Sequence, residues 1–243
     1  MARRISHVIG FDDAPFPRDH RGDVLLVGAV YAGPRLEGIL SHKIRRDGIN
    51  ATRTIVRLVS TSHYREHLQA VLLQGITFAG FNVVDLRAAF DALQLPVIAV
   101  SRRQPDMEAV RNALLGHVPG GQRKWRLIQE AGPVEPAAGV YVQRAGISLR
   151  DTETVIERFA LNGRLPEPLR TAHLIAGGIA QVKKVIDTCR QRQRHFSPHT
   201  WTNGIGFAVN LQLFAASGFA GERELEYPLA PPGGTVEARD GIL

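Results

Sequence analysis

Apolar and polar positions follow one another in short, readable runs as far as about residue 190. Residues 5–11 are apolar enough for a strand, and the run stops at Asp12-Asp13-Ala14-Pro15. Proline cannot donate to a central ladder, so both aspartates fall where this strand ends. Residues 24–31 are β-branched and apolar throughout, the pattern of a central strand. Gly33-Pro34 makes a turn and residues 36–46 alternate, so these two runs form a hairpin. Asp47-Gly48 closes the third strand. Asn50 is placed to cap a helix over 51–60, whose apolar face is Ile55, Val56 and Val59.

Residues 70–73 form a short buried strand that stops at Gln74-Gly75, before a loop over 76–81 and a helix over 82–93. Residues 96–100 give another buried strand, and Pro105 opens a helix as its first residue, running to 115. Residues 116–138, rich in glycine and proline, read as irregular. A sixth short strand is predicted over 140–143, then a helix over 148–160 with Ser148 and Asp151 as candidate caps. A long helix follows over 166–191, with Gly177-Gly178 as a point of bending. A three-strand meander, then helices alternating with parallel strands through right-handed crossovers, predicts an α/β fold with a mixed sheet. The ribonuclease H-like architecture has this order. Residues 1–190 are expected to form one domain, and residues 191–243 a partly irregular C-terminal extension.

Composition narrows the class. The chain has 243 residues, 44% hydrophobic and 22% charged, ordinary for a soluble globular protein with a real core. No basic-then-apolar leader precedes the first strand, and the weakly polar stretch 205–220 is interrupted by Asn210, Gln212 and Ser217. No membrane partner is therefore expected. The single cysteine, Cys189, excludes an intrachain disulfide and a cysteine-based zinc cluster, and reads as a reduced apolar residue in a helix. Together these features point to the cytoplasm. A formal charge of +7 and a pI of about 10.2 favour an anionic partner such as phosphates or a nucleic acid, DNA or RNA. The basic residues gather at Arg3-Arg4, Arg45-Arg46, Arg102-Arg103, Arg123-Lys124-Trp125-Arg126 and 190–194.

Four segments carry a resemblance. They are Ile9-Gly-Phe-Asp-Asp-Ala-Pro-Phe16, Asp47-Gly-Ile-Asn-Ala-Thr52, Gly75-Ile-Thr-Phe-Ala-Gly-Phe-Asn-Val-Val-Asp85 and Leu95-Pro-Val-Ile-Ala-Val-Ser-Arg-Arg103. They resemble the "domain of unknown function 99" family, also called uncharacterised protein family 0215. The resemblance implies an endonuclease V-like fold of the ribonuclease H-like class. Gly163-Arg-Leu-Pro-Glu-Pro-Leu-Arg-Thr-Ala-His173 is similar to the segment that closes endonuclease V proteins, where a Pro-Glu-Pro turn starts the last helix.

Endonuclease V is a metal-dependent nuclease, and the resemblance implies its chemistry. A two-metal nuclease holds the attacking and leaving oxygens of a phosphodiester between cations about 4 Å apart. Hard cations need oxygen ligands, mostly carboxylates at strand ends. Carried onto this chain, the resemblance implies Asp12 as the first aspartate, with Asp13 beside it. Asp47 is the first choice for the second acid and Glu37 a weaker one, and His173 lies on the last helix. The expected catalytic set is Asp12, Asp47 and His173, and the expected metal set is Asp12, Asp13 and Asp47. Where endonuclease V has Asp-Gly at the end of strand four, this chain has Gln74-Gly75. An amide lends an oxygen but no charge, so Mg²⁺ or Mn²⁺, the implied cofactors, would be held weakly. Phe78, Phe81 and Asn82, with Arg102 and Arg103, are the candidates for nucleic-acid contact, the rings by stacking or wedging against a base.

Each candidate also has a structural reading. Asp12 and Asp47 suit turns closed by side-chain caps. Asp85 suits the first turn of a helix, His173 a half-buried packing role, and Phe78 and Phe81 contact with a neighbouring helix. His63-Tyr-Arg-Glu-His67 has the helical spacing of metal ligands but reads first as an exposed face. The chain has no P-loop, Gly-x-Ser-x-Gly elbow or His-Glu-x-x-His motif, and Gly204-Ile-Gly206 lacks a third glycine. Three functions remain open: a nucleic-acid-associated protein whose metal-dependent nuclease activity is weak, altered or lost; an active Mg²⁺-dependent endonuclease in which Asp13 or Asp85 replaces the missing acid; and a non-catalytic scaffold that binds proteins through residues 191–243.

Overall fold

The computed structural model describes residues 5–161 and 163–191. Its frame is set by three long strands: β1 (His7–Asp13), β2 (Asp23–Ala32) and β3 (Arg35–Arg45). They pair antiparallel as the expected meander, His7 opposite Ala32 and Ala32 opposite Arg35. β4 (Ala70–Gln74) and β7 (Val97–Ser101) then add in parallel on the other side of β1. Both are apolar almost throughout, as strands covered on two faces must be. β9 (Val140–Ala145) and β8 (Glu135–Ala137) complete a seven-stranded sheet in the order β3-β2-β1-β4-β7-β9-β8.

Helices follow the chain order α1 (Ala51–Thr61), α2 (Leu86–Leu93), α3 (Met107–His117), α4 (Gly121–Glu130), α5 (Leu149–Phe159) and α6 (Glu167–Gln191). A two-stranded ribbon, β5 (Thr77–Phe78) and β6 (Asn82–Val83), stands between β4 and α2. This is the mixed α/β sheet of the ribonuclease H-like class, and no described helix is long and apolar enough to cross a membrane.

Several expectations are corrected. The loop over 76–81 is mostly the β5–β6 ribbon, and α2 starts at Leu86 because Asp85 caps it through Ala88 N–H at 2.9 Å. Pro105 precedes the cap residue Asp106, so it lies outside the helix it was expected to open. Residues 116–138 contain α4 and β8; the apolar face of α4, with Ile128 fully buried, outweighs the flanking glycines and prolines. β9 runs antiparallel to β7, not parallel. Asn50 makes no capping bond; its Oδ1 accepts from Arg45 N–H and the Asn82 amide instead. The His63–His67 segment is a run of turns, with the His63 ring against Tyr64.

Side-chain alternation along β1 organises the rest. Gly10 and Asp12 face α6, in register with Leu72 on β4 and with Ala29 and Val27 on β2. Phe11 and Asp13 face the opposite side. At Gly10 α6 lies close against β1: a Cβ there would lie 2.5 Å from the Pro168 carbonyl carbon. Tyr31 on β2 and Thr171 on α6 share a buried hydroxyl bond of 2.7 Å, fixing the rotation of that helix. The first compact unit is Met1–Ala176, and the second starts at Gly177. The extension, Gly204-Ile-Gly206 and the side chain of Cys189 lie outside the described residues.

Candidate active site

The C-terminal ends of parallel strands are where α/β sheets gather chemistry, and β1 and β4 end side by side. Phe11 pairs with Leu73, so Asp12 and Gln74 are the next residues of adjacent strands on the face toward α6. Asp12 is buried, at 6% exposure. Its Oδ1 accepts the Asp13 N–H at 2.9 Å, and its Oδ2 lies 2.7 Å from His173 Nδ1. An ionised carboxylate only accepts, so Nδ1 carries the proton and, in the neutral ring, Nε2 is the acceptor nitrogen. The His173 side chain is 58% exposed. The pair therefore has one desolvated end and one end open to water.

Burial pushes the Asp12 carboxyl up, against the Asp13 N–H, the His173 imidazole and the positive charge of Arg102, which all favour the anion. Asp13 is pushed up to about 6 by burial and then by the neighbouring Asp12 charge, and the Ala79 N–H bonded to it pulls the other way. Gln74 Oε1 is buried without a hydrogen-bond partner, an acceptor left open on the Asp12 face of the sheet.

Asp47 lies elsewhere. Asp13, on the opposite face from Asp12, accepts Ala79 N–H through Oδ2 at 3.0 Å, and Asp47 N–H donates to Ala79 O at 2.9 Å. The Asp47 carboxylate takes Phe81 N–H at 2.8 Å and Arg46 Nε at 3.1 Å, and its carbonyl takes Lys124 Nζ at 2.5 Å. Ala79 and Gly80 have φ of 45° and 85°, and a Cβ on Gly80 would lie 2.4 Å from Asp47 Oδ1. Asp13 and Asp47 thus grip a strained turn, while Asp12 meets His173. Alternation along β1 is the reason: neighbouring residues of a strand point to opposite faces.

The remaining candidates separate clearly. Phe78 and Asn82 are fully buried, and the Asn82 amide bonds Ala51 N, Arg45 O and Asn50, so both build the turn and are withdrawn from a nucleic acid. Phe81 is half-buried and packs with Met107, Val110 and Trp125 around Leu114 and Ile128. It also lines a cavity of about 150 Å³ with Ile76, Ser101 and Tyr141. Arg102 and Arg103 are exposed just beyond β7. Asp85 is spent on its cap, and Glu37, paired with Arg35, lies toward the end of the sheet remote from Asp12.

Lys124 and Arg46 stand out in the sequence only as members of basic clusters, not as site residues. Lys124 is 2% exposed, and burial lowers the pKa of its ammonium against the attraction of Asp47. The signal was its place between Arg123 and Trp125 in an amphipathic helix, hidden by the irregular reading of 116–138.

Among the described residues, no three histidine, cysteine, aspartate or glutamate side chains gather closely enough to hold an ion. The donors that share the Asp12 face are one carboxylate, one imidazole and the open Gln74 Oε1. That set does not fit a pair of divalent cations, whose four positive charges it cannot balance. It fits one hard cation, with Asp12 supplying charge and Gln74 an oxygen that has no other partner.

Comparison with known proteins gives the family and the fold. The family described as Endonuclease dU matches residues 4–180. A UPF0215 protein of Deinococcus radiodurans is 59% identical over 178 residues, covering 73% of this chain and 91% of its own. One from Methanothermobacter thermautotrophicus is 40% identical over 176 residues, covering 71% and 86%. Among solved structures, a protein of unknown function from Archaeoglobus fulgidus superposes with a TM-score of 0.67 at 32% identity, covering 72% of this chain and 98% of that one. Endonuclease V of Ciona intestinalis, in complex with inosine-containing DNA, superposes with a TM-score of 0.50 at 13% identity, covering 75% and 87%, a likeness of fold.

Proposed function

The chain belongs to the endonuclease dU family, and from that membership we propose that it cleaves a phosphodiester of DNA near deoxyuridine, by an altered form of endonuclease V chemistry. The observation that carries the proposal is the Asp12–His173 pair, 2.7 Å apart at the end of β1.

Asp12 holds the Nδ1 proton of His173 and so directs Nε2 outward as a base for the proton of the attacking water. Burial of Asp12 keeps that contact dry and its geometry fixed, while the exposed ring can turn a proton over to solvent. Arg102, whose charge reaches Asp12, adds positive potential where a phosphate would sit. One Mg²⁺ or Mn²⁺ held by Asp12 and Gln74 would supply Lewis-acid polarisation of the phosphodiester. The amide in place of a carboxylate makes the cation weakly held, so activity depends on high cation concentration.

The test is a nicking assay on duplexes carrying one deoxyuridine, one inosine or neither, with Mg²⁺, Mn²⁺ or chelator. Cleavage by the wild type only at deoxyuridine, abolished by chelator and by Asp12→Ala, is the expected result. No cleavage at any cation concentration, or cleavage untouched by Asp12→Ala, would overturn the proposal.

A further inference from the structure

β1 and β2 are antiparallel neighbours, and two residues suffice to join such strands. Here nine residues intervene, 14–22, directly after the Asp12-Asp13 pair. Long loops at the edge that carries the chemistry have to be held in shape to serve binding. This one is tied down from outside by Arg46, just beyond the end of β3.

Arg46 makes four contacts that converge on the loop and a fifth to its neighbour Asp47. Its N–H donates to Gly22 O at 3.2 Å, and its Nη1 donates to Arg18 O at 2.6 Å and also to His20 O. Its guanidinium lies 5.4 Å from the centre of the Phe16 ring, and its Nε reaches Asp47 at 3.1 Å. Within the loop, His20 N–H bonds Pro17 O at 3.1 Å, the His20 ring meets Asp23 O at 3.1 Å, and the Phe16 and His20 rings are 6.0 Å apart. The rigid guanidinium thus serves two loop carbonyls through Nη1 while its Nε holds Asp47, a divided geometry that the single nitrogen of a lysine ammonium cannot reproduce. The loop's own cations, Arg18 and Arg21, are left exposed on the segment that directly follows Asp12-Asp13, with Asp19 the one acid between them.

We propose that residues 14–22 form a phosphate clamp. Arg18 and Arg21 grip backbone phosphates of the nucleic acid whose cleavage centre is Asp12–His173, and Arg46 is the positioning residue that sets the clamp's shape. The inference rests on the nucleic-acid reading above and deepens it. Pre-ordering matters because a loop fixed before binding loses little conformational entropy on binding.

The test is fluorescence-anisotropy titration of a labelled deoxyuridine duplex over a salt series, in chelator so that binding is read without cleavage. Variants are Arg18→Ala, Arg21→Ala, the double variant, Arg46→Lys and Arg46→Ala. Arg150→Ala, an exposed arginine at the other end of the sheet, controls for loss of one charge. Each lost phosphate contact lowers the slope of log affinity against log salt by about 0.9 on duplex DNA, so the double variant should lose roughly 1.8. Arg150→Ala should lose nothing. Arg46→Lys, which keeps the net charge, should weaken binding in the same direction as the loop variants. Salt-dependent wild-type binding with an unchanged slope in the double variant would overturn the clamp and leave the nucleic-acid reading standing. No salt-dependent binding by the wild type would overturn both. Arg18 and Arg21 are solvent-facing, so their variants fold and report on binding even where Arg46→Ala fails to fold.

Discussion

His173 Nδ1 lies 2.7 Å from Asp12 Oδ2 although 161 residues separate them in the chain. The contact depends on α6 lying close along β1, and that approach depends on the missing side chain of Gly10.

Gly10→Ala tests this dependence. Its Cβ would meet the Pro168 main chain at 2.5 Å, and backbone cannot swing aside as a side-chain tip can. Overpacking of this kind costs about 1–3 kcal/mol, and the relief available is an outward shift of α6. Chemical denaturation should show the destabilisation, and cleavage at deoxyuridine should fall by at least about tenfold in protein that remains folded. Unchanged cleavage would mean that the position of α6 is immaterial to the chemistry.

Gln74 governs the cation. Gln74→Asp adds a charge at a buried oxygen that has no partner, and a hard cation gains far more from a carboxylate than from an amide. The Mg²⁺ concentration for half-maximal cleavage should drop by about tenfold or more, equal to at least ~1.4 kcal/mol in cation affinity. Titration of cleavage against Mg²⁺ measures it. An unaltered requirement would remove Gln74 from the cation's surroundings.

Asp13 should make stability fall with pH. Its carboxyl is pushed up to about 6 from 3.8, so the folded chain keeps a proton that the unfolded chain has released. Between these values each rise in pH favours the unfolded state, and above pH 6 the accumulated cost is about 3 kcal/mol. Asp13→Asn keeps an oxygen for the Ala79 N–H. It should be more stable than wild type by about 1–3 kcal/mol at about pH 7.5 and nearly equal at about pH 3.5. Urea unfolding at the two pH values decides, and a gap of the same size at both would reject the assignment.

Asp47 separates holding a turn from doing chemistry. Asp47→Ala leaves the Phe81 N–H without its acceptor and Arg46 without its carboxylate, which should cost about 1–3 kcal/mol. Under the present reading, folded Asp47→Ala retains cleavage within about tenfold of wild type, since its carboxylate serves the turn. A loss of the size seen for Asp12→Ala would restore Asp47 to the catalytic set.

Much of the fold was legible because its signals are local. Alternation in residues 36–46, the apolar runs 24–31 and 70–73 and the caps at Ser148 and Asp85 are decided within a few residues. Asp12 and His173 were legible too, through the motifs around them. The sharing of duties between Asp12 and Asp13 was not, because it turns on which face of β1 each residue takes and what waits there. Nor was the withdrawal of Phe78 and Asn82 into the core. A buried asparagine bonded to three partners on two other segments has the same one-letter signature as an exposed one. The direction of β9 and the existence of α4 depended on tertiary packing that residue-by-residue propensity does not carry.

The most direct test of the Asp12–His173 centre is a double-mutant cycle on single-turnover cleavage of a deoxyuridine duplex, using Asp12→Asn, His173→Ala and the two combined. Residues that act as one unit lose their effect together, and positioned acid–base groups contribute about 10²–10⁴-fold. Each single variant should therefore fall by about that factor, with the double variant no slower than the worse single. Singles within about threefold of wild type, or losses that multiply in the double variant, would contradict the account.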